Sequence, residues 1–96
     1  MISKKSLLQD KKECYKCKRT IALHQHHIYE GRNRKNSDED GCYIWLCPIH
    51  HNMSDKGIHF DKEFDLRVKR LCEKVWLEYY NATIEDFIKR YRINYL

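Results

Sequence analysis

Leu23-His24-Gln25-His26-His27-Ile28 and Leu46-Cys47-Pro48-Ile49-His50-His51 are the two stretches that decide how this chain is read. Between them they hold five of its six histidines, and the second adds a cysteine. Imidazole is the commonest side-chain ligand of transition metals and titrates near neutrality. Upstream stands Cys14-Tyr15-Lys16-Cys17, a pair of thiols at metal-ligand spacing. Two loops that each offer two ligands one turn apart can close a tetrahedron around zinc. Cys14, Cys17, Cys47 and His50 are therefore expected to form a structural site, and the remaining histidines a second, reactive one. A lone histidine is more often a hydrogen-bonded structural residue, but burying five without function would be costly.

Composition supports a staple. The chain has 96 residues, 34% of them charged, with a mean hydropathy of −0.85. One core fits that length, burying only about two-thirds of the surface that the unfolded chain exposes. Small domains with so thin a core usually need a metal or disulfide. Five cysteines make an odd count for a disulfide framework, so thiolates on zinc in a reducing cytoplasm fit better. Met1 to Lys12 carries four lysines and no apolar run longer than Leu7-Leu8. It is read as neither signal peptide nor membrane span, and residues 1–13 as a flexible basic arm. No membrane partner is expected. The net charge of +5 points weakly to an anionic partner, yet it would equally keep a small domain in solution.

Along the chain, Ile21 to Tyr29 has strand composition, and Cys42 to Leu46 reads as a second strand. The polar, glycine-bounded stretch from Gly31 to Gly41 reads as the loop of an antiparallel hairpin. Pro48 suits the first turn of a helix and Gly57 its stop, so about two turns would set Asp55 on the same face as His51. Residues 61–80 carry an amphipathic stripe of Phe64, Val68, Leu71, Cys72, Val75 and Tyr79. Thr83 and Asp86 have capping-box spacing for a last helix bearing Phe87, Ile88 and Tyr91. Cys42 and Cys72 lack partners at ligand spacing; Cys72 falls on the stripe and is read as packing.

Adjacent His26 and His27 would face opposite ways in a regular strand, so the strand must twist or end for both to reach one phosphate. Their natural division is metal ligand and general base. Phosphodiester hydrolysis needs an activated water and a cation to stabilise charge at phosphorus. His27 is the candidate base, His26 and His51 the candidate ligands, and Asp55 or His59 the third.

At this point the residues resemble a family. Cys14-x-x-Cys17, then Leu23-His24-Gln25-His26-His27-Ile28, then Leu46-Cys47-Pro48-Ile49-His50-His51-Asn52 resembles the HNH endonucleases of the ββα-metal (His-Me finger) type. Gly31-x-x-Arg34-x-x-Ser37 and Gly57-Ile58-His59-Phe60 are similar to a phage-encoded subgroup, that of the recombination enhancement function nuclease, a recombinase-dependent DNA nuclease. The resemblance covers roughly residues 14–80. It implies an α+β, zinc-stapled ββα-metal core over 14–60 with C-terminal helices over 61–96 in the same domain. It also implies a metal-dependent DNA endonuclease in which His26 and His51 are metal ligands and His27 is the base. Cys14, Cys17, Cys47 and His50 match the structural zinc ligands, with His50 in place of a more usual cysteine.

The implied cofactors are a structural Zn²⁺ and a catalytic Mg²⁺, Mn²⁺, Ni²⁺ or Zn²⁺. The implied partners are DNA and a recombination protein, in the host cytoplasm if the chain is phage-encoded. By spacing, the family's base-orienting Asn falls at Cys42. Its role then passes to a backbone carbonyl or another side chain, or the site is impaired. That departure favours the alternative, a catalytically silent zinc module binding nucleic acid or a phage or host protein. Within the family reading, Arg32, Arg34, Lys35 and Ser37 would grip the DNA backbone without reading sequence, Arg34 foremost. For any one of them a solvated loop is the bland alternative.

Overall fold

Two four-residue strands carry the histidines. In the computed structural model, which describes residues 5–96, β1 (His24–His27) pairs antiparallel with β2 (Tyr43–Leu46). The register sets His24 opposite Leu46, His26 opposite Ile44 and His27 opposite Tyr43. Alternation puts His24 and His26 on one face and Gln25 and His27 on the other. The strand expected over 21–29 is therefore shorter at both ends. Ala22 holds a left-handed φ of 57° before it. After it, the Tyr29 backbone leaves the ladder for Ser37, donating to Oγ at 3.1 Å and accepting from it at 2.8 Å.

The stretch between the strands is not a loop. Gly31–Asn33 forms a 3-10 turn that runs into helix α1 (Arg34–Asp40). Its polarity hid it, because the residues it buries are themselves polar: Ser37 and Asp40. Gly41 ends α1 at φ 84°, where a Cβ would stand 2.5 Å from the carbonyl oxygen of Lys5. The neighbouring segment is docked rather than a free arm. Leu7 N donates to Gly41 O at 2.8 Å, Ser6 Oγ to Tyr43 O at 2.6 Å, and Trp45 N to Gln9 Oε1 at 2.8 Å. The rest of the expected arm, residues 1–4, lies outside the described residues.

Helix α2 (Pro48–His51) is one turn, half the expected length. The chain then loops back, with Ile58 N donating to His50 O at 2.8 Å and His59 N to His51 O at 3.2 Å. Gly57 is thus a close-approach residue rather than a helix stop: a Cβ there would lie 2.6 Å from His51 O.

Helices α3 (Lys62–Tyr79) and α4 (Ile84–Tyr91) complete the core. Asp61 caps α3 through Phe64 N, and the Thr83–Asp86 capping box starts α4 as its spacing predicts. The apolar stripe of α3 is rotated from the expected one. Phe64, Val68, Cys72 and Trp76 are buried at strict four-residue spacing, while Leu71 and Tyr79 are exposed. On α4, Phe87 and Tyr91 are buried and Ile88 is not. The rotation follows from hydrogen bonding. Trp76 Nε1 reaches Asp40 Oδ2 at 3.0 Å, as does Arg90 Nε, and Tyr91 OH reaches the same oxygen at 2.7 Å. Arg90 Nη2 closes the fork on Asp40 Oδ1 at 2.9 Å, and Tyr80 OH donates to the Asp40 carbonyl at 2.9 Å. Cys42 lies in this core under Tyr91 OH at 3.5 Å, not beside the histidines where the family spacing would have it. A hydrogen bond from Cys42 and burial raise the Cys72 thiol well above its ordinary pKa, so both are packed thiols.

The outcome is an α+β domain with a two-stranded sheet. No helix among the described residues is long and apolar enough to cross a membrane.

Asp40→Ala should destabilise the fold by roughly 3 kcal/mol, because it leaves an indole, a phenol and a guanidinium facing a gap. Urea unfolding followed by tryptophan fluorescence measures it; a midpoint equal to the parent's would show that the carboxylate is not a keystone.

Candidate metal centres

The first centre forms where the amino-terminal knuckle meets the end of β2. Cys14 N donates to Arg19 O at 2.7 Å and Lys18 N to Cys14 O at 2.9 Å, with Lys18 at a left-handed φ of 68°. That turn brings Cys14 and Cys17 to one side, and Tyr15 N anchors it on Trp45 O at 2.8 Å. Cys47 caps α2 and His50 follows one turn later. The Cys17 and Cys47 sulfurs stand 3.7 Å apart. His50 Nδ1 is 3.7 Å from Cys14 Sγ and 3.3 Å from Cys47 Sγ. A tetrahedral ion with M–S about 2.3 Å and M–N about 2.0–2.1 Å sets S···S near 3.8 Å and S···N near 3.6 Å. Three of the six edges thus match such a tetrahedron, all four donors lie within 4.8 Å of one another, and together they could hold a metal ion.

Electrostatics agree. Burial works to raise the Cys14 thiol, but hydrogen bonds from Cys47, Cys17 and Lys16 bring it down to about 6. The Arg19 amide draws Cys17 down, yet partial burial and the thiols of Cys14 and Cys47 outweigh it and raise this second thiol. Clustered thiols resist ionising together, which a bound cation relieves.

The second centre is built from imidazoles. His26 is 3% exposed, and its Nε2 has no hydrogen-bond partner among the described residues. It faces His51 and His59, with ring centroids 5.4 and 5.1 Å away. His51 Nε2 and His59 Nε2 are 3.0 Å apart, close to the roughly 3.3 Å of two imidazoles sharing a tetrahedral ion. Burial, then the neighbouring His59 and His51, lower the His26 pKa to about 3. Burial, then His59 and His24, lower that of His51 to about 4. Both rings are thus neutral at pH 7 and offer lone pairs. The third donor is His59. Asp55 lies beyond the one-turn helix, exposed beside Met53 and Phe60, and does not join the group.

His27 sits on the opposite face of β1, its Nε2 3.4 Å from Asp38 Oδ1. Because the ladder stops at His27, both adjacent histidines still line one cavity of about 290 Å³, together with Gln25, Arg34, His51 and His59. Arg34 is exposed at its edge, and Arg32 and Lys35 line the next cleft. Ser37 does neither: its hydroxyl is fully buried between the Tyr29 N–H and C=O, so its expected role on DNA gives way to one in shaping the end of β1.

Four participants escaped the sequence reading. Asp38 came from a stretch taken for loop. His24 Nδ1 lies 2.9 Å from His51 Nδ1; its two-residue spacing from His26 on one strand was the available signal. Glu30 Oε1 is 3.9 Å from His26 Nε2 and, with Asp65, makes a further group around that nitrogen. Asp65, however, already accepts Lys69 Nζ at 2.8 Å, which leaves the histidine set as the stronger donor group for His26.

Purified protein should hold about one tightly bound transition-metal ion through the thiolate set. Cys14→Ser or Cys47→Ser should lose it and unfold, since such sites contribute about 10 kcal/mol or more, whereas Cys72→Ala should retain it. Elemental analysis with circular dichroism decides; a Cys47→Ser protein that folds and keeps its metal would sink the assignment.

No protein-family model, no curated protein and no solved structure matches this chain.

Proposed function

We propose that the chain is a metal-dependent DNA endonuclease of the HNH, ββα-metal type, stapled by zinc on Cys14, Cys17, Cys47 and His50. One observation carries the reading: a buried His26 Nε2, without a hydrogen bond among the described residues, is turned to two further imidazoles in the same cavity as a His27 paired with a carboxylate. A purely structural histidine cluster has no need of that second, outward-facing pair.

Each residue then has a task. A divalent cation on His26, His51 and His59 supplies the positive charge that a phosphodiester needs as it is attacked. With its Nε2–H turned to Asp38, His27 takes the proton of the attacking water on Nδ1. Asp38 does what the expected Asn at Cys42 cannot, holding the His27 ring in place and stabilising the imidazolium as it forms. His24 fixes the rotation of His51 through Nδ1, leaving Nε2 on the cavity side. Arg34 lies where a guanidinium can fork onto a phosphate.

The test is plasmid cleavage titrated with Mg²⁺, Mn²⁺ or Ni²⁺. His27→Ala should lower the rate roughly 10²- to 10⁴-fold at every metal concentration, with thiolate-bound metal and melting temperature unchanged. Asp38→Asn should lose about 10- to 100-fold in the same way. His51→Ala should lose activity that high metal partly restores. If His27→Ala recovers on adding metal, His27 is a ligand and the assignments are reversed. If the parent cleaves nothing with any of these ions, the chain is the silent zinc module instead.

A further inference from the structure

Arginine and lysine side chains continue beyond the histidine cavity. That cavity shares Gln25, His27, Gly31 and Arg34 with a cleft of about 570 Å³ where Arg32 and Lys35 stand. Arg32 in turn borders a third hollow, of about 630 Å³, lined by Asn33, Asn36, Lys89, Arg90 and Arg92. This hollow lies between the 3-10 turn and the carboxyl end of α4, and its walls are fixed. Asn33 Nδ2 donates to Tyr91 O at 2.9 Å and Asn36 Nδ2 to Arg90 O at 3.0 Å.

Its charges are unevenly used. Arg90 is consumed by Asp40 and Glu39. No ion pair among the described residues brings a carboxylate within 4.0 Å of Arg32, Lys89 or Arg92. Asp86, which feels Lys89, is committed to the capping box. Cations at a helix's carboxyl end do offset its dipole, which would account for Lys89 and for Arg92 at the C-cap. It does not account for Arg32, which comes from the 3-10 turn.

We propose that Arg32, Lys89 and Arg92 form a second phosphate-binding site, holding the backbone of the DNA strand whose cleaved bond lies in the histidine cavity. The proposal rests on the nuclease reading only for what occupies that cavity. Guanidinium and ammonium groups on an open floor suit successive phosphates. The two asparagine amides, the groups best able to read a base edge, are already bonded to α4 carbonyls, so this site positions the strand without selecting sequence.

The test uses the full chain with its structural metal in place. Binding of a fluorescein-labelled 20-base-pair DNA is followed by anisotropy from about 50 to 300 mM salt, in a His27→Ala background that leaves the probe uncut. Lys89→Ala/Arg92→Ala should bind about tenfold more weakly or worse near 100 mM salt, with the slope of log K against log salt smaller by about 1.8. Arg32→Ala, on the opposite wall, should remove about 0.9 by itself. The charge-matched pair Lys62→Ala/Lys74→Ala on α3, outside these hollows, should change neither.

Equal slopes for the two pairs, or no DNA binding by the parent, would overturn the site. Metal-dependent hydrolysis of bis(p-nitrophenyl) phosphate, too small to span the hollows, separates this from the nuclease reading. Hydrolysis with unmoved slopes removes the second site alone. Moved slopes with no hydrolysis keep the site and remove the nuclease.

Discussion

One carboxylate ties the architecture together. Asp40 closes α1 and accepts from α3 through Trp76 and from α4 through Arg90 and Tyr91. A chain of 96 residues cannot build a thick apolar core, and here a buried, fully used acceptor converges three helices where a larger protein would use leucines. Buried charge is favourable only when its hydrogen bonds are complete, and those of Asp40 are. Glu73 is the contrasting case: its Oε1 accepts Tyr95 N at 2.8 Å to hold the tail, its Oε2 has no hydrogen bond among the described residues, and burial raises its carboxyl pKa.

At the end of β1 the same thin core leaves an open cavity. The β1 alternation that hides His26 among His51 and His59 presents His27 to the open cavity. One ring is made ligand-competent by desolvation and the other is kept at the water's edge. Four residues of strand therefore supply two environments for the same side chain, and their different environments rather than their identity set their roles.

Much of this was legible beforehand. The Cys-x-x-Cys and Cys-x-x-His spacings brought together the four residues they named, and the Thr83–Asp86 box started the last helix where expected. What was missed has a physical pattern. Helix α1 buries only polar side chains, so apolar periodicity, the main signal for a helix, was silent over residues 31–41, and Asp38 was lost with it. Burial on α3 turned toward Trp76 because its indole N–H needed Asp40, a long-range bond that no local window contains. Asp55, the alternative to His59 as third ligand, depends on helical spacing that one turn of α2 does not extend far enough to deliver. His59 arrives instead through the Gly57 loop.

The loop around Gly57 and the brevity of α2 place His50 and His51 side by side in sequence while sending them to different donor sets. A single peptide link thus joins the thiolate staple to the imidazole cluster. The turn that carries both is therefore shared, and whatever seats His50 among the cysteines also sets the position of His51. Losing the Cys14 or Cys47 donor would disturb the geometry of an imidazole group in which neither cysteine takes part.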